Sequence, residues 1–106
     1  MSNPILNKKD ILEILKEVII NNDNLLGLEY HDIKLTSSLY DLGFDSLEVV
    51  EISMSLERNL DIRIEDEEVE HIMMRKPVEE IMDFLFGRYQ KTHNPQLITQ
   101  NNEQLQ

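Results

Sequence analysis

The sequence contains no cysteine and no tryptophan, and only three prolines and three glycines occur among its 106 residues. The absence of cysteine excludes disulfide bonds, cysteine-ligated zinc and thiol catalysis. Aromatic residues account for 6% and hydrophobic residues for 41% of the chain, a composition that favours a compact helical protein over an all-β or a disordered one. A chain of this length holds one domain with one modest core.

Long hydrophobic runs are also missing. The apolar stretch at Val18–Ile20 is far shorter than a membrane span, and the first ten residues lack the apolar segment of a secretory signal. We therefore expect a cytoplasmic protein that does not insert into a membrane.

Basic residues are scarce, and the resulting charge is unevenly distributed. The net charge is −11, and residues 41–70 hold 11 acidic and only two basic side chains, a net of −9. Such a field repels nucleic acid, whose binding needs a basic surface, and accelerates encounters with basic partners by about 10 to 1000-fold. A solubilising surface is the alternative interpretation of a charged run.

Helical periodicity predicts an all-α fold with three longer helices and one short helix. The predicted helices cover residues 8–22, 46–59, 67–72 and 77–90. Asn7 or Asp10 can cap the first, Asp66 the third, and Pro77 suits the first position of the fourth. Residues 1–90 then form the domain, and 91–106, rich in Asn and Gln, a disordered tail.

A long loop is predicted between the first two helices, at residues 23–41, with Leu35, Leu39 and Leu42 holding it to the core. Ile62 and Ile64 alternate with polar residues, as in a strand. The sequence has no second strand for them to pair with, and an isolated strand is not stable, so this segment is predicted as a loop.

The most informative segment is Leu-Gly-Phe-Asp-Ser-Leu at residues 42–47. Gly43 permits a tight turn with positive φ, and Phe44 can fold inward to hold it. Asp45 is a natural N-cap, with Glu48 at the spacing of a capping box. The hydroxyl of Ser46 then stays free on the first helical turn, where the helix dipole stabilises an anion attached to it.

A catalytic role for Ser46 is the less favoured hypothesis. A nucleophilic serine needs a base within hydrogen-bond reach and an oxyanion site. Nothing in the sequence links His31, His71 or His93 to this serine, and the surrounding acids disfavour a developing oxyanion. The remaining alternative is that Ser46 only helps to start a helix.

Together, these features of residues 8–90 resemble those of the acyl carrier protein family. The resemblance rests on the segment SLYDLGFDSLEVVEISMSLERNLDIRIEDEEVEHI, with its Asp-Ser-Leu triplet, the preceding Leu-Gly, the acidic amphipathic helix and the following DIRIEDEE run. It implies a four-helix bundle that is not an enzyme, has no catalytic residue or metal, and carries acyl groups as thioesters on a 4′-phosphopantetheine arm, in fatty-acid, polyketide or related biosynthesis.

The resemblance also implies roles for individual residues. Ser46 would receive the arm from coenzyme A through a phosphopantetheinyl transferase, with Asp45 and Leu47 beside it. Partner enzymes with basic docking patches would bind a surface made of Glu48, Val50, Glu51, Met54 and Glu57. An acyl cleft would be lined by Val50, Met54, Ile64 and Ile72, and the carrier would act as a monomer.

Several departures from the family pattern indicate a pathway other than housekeeping fatty-acid synthesis. Glu65 stands where the family commonly has proline, the loop before Thr36 is long, and a small insertion precedes the last helix. The alternative function is an acidic interaction module with a carrier fold and no prosthetic group. Divalent-cation binding by the acids of residues 65–70 is a third idea, but their spacing matches no calcium loop.

Overall fold

The computed structural model describes residues 5–23 and 27–93, which form four α-helices and no strand. The helices are α1 (Lys8–Asn21), α2 (Ser46–Leu60), α3 (Asp66–Glu68) and α4 (Val78–His93). A 3₁₀ turn (Tyr30–Asp32) lies in the loop between α1 and α2, and a π-helical turn (Val69–Met73) continues α3. The predicted all-α bundle with one short helix is confirmed.

The start of α1 uses both of the capping residues that the sequence offers. The side chain of Asn7 accepts a hydrogen bond from the backbone N–H of Asp10 at 2.8 Å, and the Asp10 carboxylate accepts one from the N–H of Asn7 at 3.0 Å. This reciprocal capping satisfies two of the N–H groups that a helix start leaves unpaired.

One hydrophobic core joins the longer helices, and α1 packs against both α2 and α4. The largest fully buried side chains in the helices recur at helical spacing, so each helix buries one continuous stripe: Ile11, Leu15, Ile19, Ile52, Leu56, Leu60, Ile81 and Leu85. Burying each contributes about 1.5 to 3 kcal/mol. These contacts hold α2 in place as a platform for the candidate site.

The long loop is held to the bundle partly as predicted. Leu39 is completely buried and Leu42 is half-buried, but Leu35 is 41% exposed, so its predicted role as a core anchor is wrong. Its backbone carbonyl accepts a hydrogen bond from the N–H of Glu79 at 2.9 Å, and the Ser37 carbonyl accepts one from Val78 at 2.8 Å. The loop therefore binds the start of α4 through its main chain, which leaves the Leu35 side chain outside.

The third helix differs from its prediction in start and in type. It begins at Asp66 with Glu65 at the N-cap position, so the predicted Asp66 cap is wrong. The Glu68 side chain accepts a hydrogen bond from the Glu65 N–H at 2.8 Å. After one α-helical turn the chain widens into the π-helical turn, in which the N–H of Met74 donates to the carbonyl of Val69 at 2.9 Å.

The last helix begins one residue after Pro77 and extends to His93, three residues past the predicted domain boundary. The Nε2 atom of His93 lies 2.9 Å from the carbonyl oxygen of Leu60 and 3.1 Å from that of Asp61. The end of α4 is thus tied to the end of α2. The remainder of the predicted tail, residues 94–106, lies outside the described residues. No helix among the described residues is long and apolar enough to cross a membrane.

Candidate functional site

The turn before α2 has the shape that its sequence predicts. Gly43 adopts a φ of 105°, a conformation that a side chain would strain. Phe44 is only 3% exposed, and its N–H donates to the carbonyl of Leu39 at 3.1 Å. The N–H of Gly43 donates to the carbonyl of Tyr40 at 2.9 Å. A buried aromatic ring and two main-chain hydrogen bonds therefore hold the entry to α2.

A capping box closes the start of α2. The Asp45 carboxylate accepts a hydrogen bond from the backbone N–H of Glu48 at 2.8 Å, and the Glu48 carboxylate accepts one from the N–H of Asp45 at 2.9 Å. Both predicted partners of the box are confirmed. Because Asp45 caps the helix, the hydroxyl of Ser46 is not needed for that purpose.

Ser46 occupies the first helical position of α2, and its side chain is exposed. Within the described residues, its hydroxyl and the backbone N–H groups of Ser46 and Leu47 form no hydrogen bond. An exposed hydroxyl beside free N–H groups and the positive end of a helix dipole suits a phosphodiester link. The residues at this turn therefore fit an attached phosphate-bearing group.

The histidines are engaged elsewhere or stand apart. His93 contacts the backbone at the end of α2, and the ring of His31 lies 3.4 Å from a Glu29 carboxylate oxygen. His71 is exposed in the π-helical turn. In residues 5–23 and 27–93, none of the three forms a hydrogen bond or an ion pair with Ser46. Within these residues, the structure thus pairs no histidine with the serine.

Apolar side chains of α2 remain outside the core next to this turn. Leu47 is 66% and Met54 is 50% exposed, and Val50 between them is half-buried. Spacings of three and four residues place the three on one side of the helix. Glu51 is exposed and Glu48 is half-buried, so carboxylates accompany the apolar side chains.

Glu57 was predicted for the same surface, but its carboxylate makes a contact within the protein. It is half-buried, and its carboxylate accepts a hydrogen bond from the backbone N–H of Ile64 at 2.7 Å. This contact joins α2 to the segment before α3. One oxygen of Glu57 is therefore committed within the protein.

The four residues predicted for an acyl cleft do not share one cavity. Val50 lines a cleft of about 370 Å³ between α2 and the α3 region, together with Asp66, Val69, Glu70 and Met74. A separate shallow groove of about 640 Å³ at the C-terminal end of α2 is lined partly by Met54 and Ile64. Ile72 packs against the core. Asp66 of α3 lines both cavities, whereas Val69 and Glu70 of the π-helical turn line only the cleft beside Val50.

The acidic run of residues 65–70 is partly neutralised by arginine. Arg63 pairs with Glu65 at 3.0 Å, and Arg88 pairs with Glu68. Burial raises the pKa of Glu68. Hydrogen bonds from Arg88 and from the Glu65 N–H lower it, as do the charges of Arg88 and Lys91. The lowering effects are together the larger, so the pKa of Glu68 lies below its ordinary value. The described part of the chain contains no group of three or more His, Asp or Glu placed to hold a metal ion.

Comparison with known proteins relates the chain to a protein family. The family model for a phosphopantetheine attachment site matches residues 24–73. The acyl carrier protein of Clostridium acetobutylicum is 41% identical over 63 residues, which cover 58% of this chain and 78% of that protein. The chain belongs to the acyl carrier protein family.

Membership settles the class of function. Acyl carrier proteins are carriers, not catalysts, and hold a covalently attached 4′-phosphopantetheine. They interact with a phosphopantetheinyl transferase and with enzymes that handle acyl groups. The predicted carrier class and its prosthetic group are confirmed, and the alternative of a carrier fold without the group is not supported.

The serines of the matched segment differ in accessibility. Ser53 is 2% exposed and donates a hydrogen bond to the carbonyl of Val49 at 2.9 Å, and Ser38 accepts one from the N–H of Asp41 at 3.0 Å. Ser37 and Ser55 are half-buried. Among the five serines in residues 24–73, all of them described, only Ser46 is exposed.

Sequence reasoning missed the ion pair between Arg88 and Glu68, which lie 20 residues apart on different helices. No local pattern links such distant positions, and an arginine on a polar helix face gives no signal of its partner. The tertiary fold alone reveals this contact.

Proposed function

We propose that this acyl carrier protein holds its cargo through Ser46, for fatty-acid, polyketide or related biosynthesis. The observation that carries the proposal is the exposed, unbonded hydroxyl of Ser46 beside the Asp45 cap. The prosthetic group supplies a thiol on which an acyl group is carried as a thioester. Tethering raises the effective concentration of the cargo at a docked enzyme.

The residues around Ser46 prepare the hydroxyl for modification. Asp45 holds the N-terminus of α2 through the Glu48 N–H, which keeps the free N–H groups of the first turn directed at the attachment point. These groups stabilise a phosphate on the serine oxygen. Leu47, the most exposed apolar side chain of α2, gives the transferase an apolar contact next to the reacting hydroxyl.

Partner enzymes dock on the face of α2 that continues from Ser46. The exposed parts of Leu47 and Met54, with Val50 between them, give an apolar contact, and Glu48 and Glu51 attract basic side chains. Glu57 contributes less to this face because the Ile64 N–H engages one of its carboxylate oxygens. A small contact with a large share of charge gives weak, fast and salt-sensitive complexes, which suits a carrier that must release each partner.

The cleft between α2 and the α3 region is the proposed place for the acyl chain. Val50, Val69 and Met74 give it apolar walls, and its volume of about 370 Å³ lies within the usual range of small-molecule pockets. Met54 and Ile64 line the separate groove at the C-terminal end of α2, and Ile72 packs against the core, so Val50 is the only one of the four predicted residues that lines this cleft. Residues 1–90, extended by the last turn of α4, act as one monomeric carrier domain in the cytoplasm.

Intact mass measurement tests the attachment site. Wild-type protein, freed of any pre-existing modification and incubated with coenzyme A, Mg²⁺ and a broad-specificity phosphopantetheinyl transferase, is expected to gain one phosphopantetheine. Ser46→Ala protein is expected to gain none while keeping its helical circular dichroism. Ser55→Ala, another serine of α2, is the matched control and should load like the wild type. Loading of the Ser46→Ala protein would show that the attachment site is elsewhere.

Charge reversal on α2 tests the docking face. Glu51→Lys is expected to lower the kcat/KM of loading by about tenfold at low salt, because like charges across an interface are unfavourable, and the deficit should shrink at 0.5 M NaCl. Glu13→Lys makes the same charge change on α1, where Glu13 is exposed. Equal effects of the two substitutions would mean that only net charge matters and would refute a specific face.

A further inference from the structure

The short helix α3 has little holding it in place through its own side chains. None of its three residues is buried, whereas α1, α2 and α4 each bury at least four. It is followed by a π-helical turn, a geometry that is rare and often found at functional sites. An element with so little buried surface opens at a low free-energy cost.

Arg88 of α4 fastens α3 itself, whereas the π-helical turn that follows is anchored by Met73, which is fully buried. Its Nη1 donates to Glu68 Oε1 at 3.1 Å, and its Nη2 donates to Glu68 Oε2, so the guanidinium holds the carboxylate with two parallel bonds. Nη1 also donates to the carbonyl oxygen of Arg63, in the segment before α3. Both side chains of the Arg88–Glu68 pair are only 23% exposed, so water screens the pair less than it screens surface ion pairs.

The position of Arg88 is itself fixed. Its guanidinium carbon lies 5.2 Å from the ring centroid of Phe84, one turn earlier on α4. The same Glu68 Oε1 that Arg88 contacts accepts the hydrogen bond from the Glu65 N–H. One guanidinium therefore connects α4 with the N-terminal cap of α3 and with the chain that enters it.

The cleft beside Val50 lies on the other side of this helix. Asp66 and Glu70 line the cleft, and each is two residues away from Glu68. Residues two apart on a helix do not face each other, so Glu68 points to α4 while its neighbours point to the cleft. The α3 region is thus a thin wall with the cleft in front and the Arg88 contacts behind.

We infer that Arg88 is a positioning residue that holds this wall against α4 and thereby limits the length of acyl chain the cleft accepts. The inference rests on the proposed function of the cleft. With the contacts to Arg88 in place, α3 stays near α4 and the cleft keeps a defined width. Without them, α3 and the π-helical turn move more freely, and longer chains gain room.

Two measurements on the same variants test the inference. Arg88→Met removes the guanidinium and keeps an unbranched apolar side chain for Phe84, and Arg75→Met is the matched control because Arg75 is exposed. The first measurement is amide hydrogen exchange of the protein without its prosthetic group. The second is the melting temperature of protein loaded at Ser46 with saturated acyl chains of four to fourteen carbons.

The expected result is exchange at least tenfold faster for the amides of residues 66–74 in Arg88→Met, with the amides of α1 unchanged. The longest chain that still raises the melting temperature should increase by two carbons or more. Arg88→Lys keeps the charge but not the two parallel hydrogen bonds, so its exchange rate and chain-length limit should lie between those of the wild type and Arg88→Met. Arg88→Lys takes the place of Arg88→Met if the latter does not fold. Arg75→Met should behave as the wild type.

Three outcomes would overturn the inference. Exchange that is unchanged, or that rises equally in all helices, would give Arg88 no local role. Faster local exchange with an unchanged chain-length limit would separate the wall from acyl capacity. If no chain shifts the melting temperature of the wild type, the cleft proposal fails and the inference with it, and this outcome is recognised without any variant.

Discussion

The Glu57 carboxylate accepts a hydrogen bond from the backbone N–H of Ile64 at 2.7 Å, and this contact ties the last turns of α2 to the segment that leads into α3. The backbone carbonyl of Glu57 accepts a hydrogen bond from the Ile62 N–H at 3.1 Å. Ile62 and Ile64 are both buried, at 8% and 6% exposed. Glu57 therefore helps to position two core side chains at the C-terminal end of α2.

We expect Glu57→Ala to lower the free energy of unfolding by about 1.5 to 3 kcal/mol, because the part-buried Ile64 N–H loses a charged acceptor. Glu51→Ala removes the same group from an exposed position of α2 and should change stability by less than about 0.5 kcal/mol. Urea unfolding of the two variants measures both values. Equal stabilities would contradict the structural role of Glu57.

The capping box at Asp45 leads to a second prediction. Asp45→Ala should cost about 1 kcal/mol of stability, because the Glu48 N–H loses its acceptor, and Asp45→Asn should cost much less because asparagine caps equally well. Ser46→Ala should leave stability within about 0.5 kcal/mol of the wild type. Thermal unfolding of the unmodified proteins compares the three. An Asp45→Asn protein as unstable as Asp45→Ala would disprove capping by this side chain.

The ion pair of Glu68 predicts a pH dependence. The folded pKa of Glu68 lies below the ordinary value of 4.5 because Arg88 and the Glu65 N–H favour its ionised form over the cost of burial. A lowered folded pKa makes the unfolded chain take up the proton first. The contribution of Glu68 to stability is therefore complete above pH 4.5 and is lost as the pH falls through the lower folded value.

Other carboxylates titrate in the same range, so the measurement compares variants. The stability difference between wild type and Glu68→Gln, taken from urea unfolding between pH 7 and pH 3, should be largest at neutral pH and shrink on acidification. Glu70→Gln changes an exposed neighbour and serves as control. A Glu68→Gln difference that stays constant with pH would contradict the ion-pair contribution.

The end of α2 offers a stabilising substitution. Asp61 adopts a left-handed conformation with a φ of 52°, and it places a negative charge at the negative end of the helix dipole. Asp61→Gly should raise stability by about 0.5 to 1 kcal/mol, after the greater freedom of glycine in the unfolded chain is subtracted. Asp61→Ala removes the same charge but keeps the strained conformation. If both substitutions gave the same melting temperature, backbone strain at this position would be negligible.

The sequence by itself determined the three longer helices and the turn before α2, because these depend on neighbours within a few residues. The spacing of apolar side chains set the buried stripe of α2, and the Asp45–Glu48 pair set its start. The Asp-Ser-Leu triplet and its surroundings were enough for the family resemblance. Each of these signals is local, so a linear pattern contains it.

Only the tertiary structure decided which side chains serve the fold and which remain available. Glu57 matches the acidic docking pattern, yet the return of the chain brings the Ile64 N–H to its carboxylate. Leu35 matches a core pattern, yet its backbone makes the contact with α4 and its side chain stays outside. Arg88 meets Glu68 across 20 residues. Such contacts depend on how helices pack, and packing follows from the sum of many weak side-chain contacts that no short segment specifies.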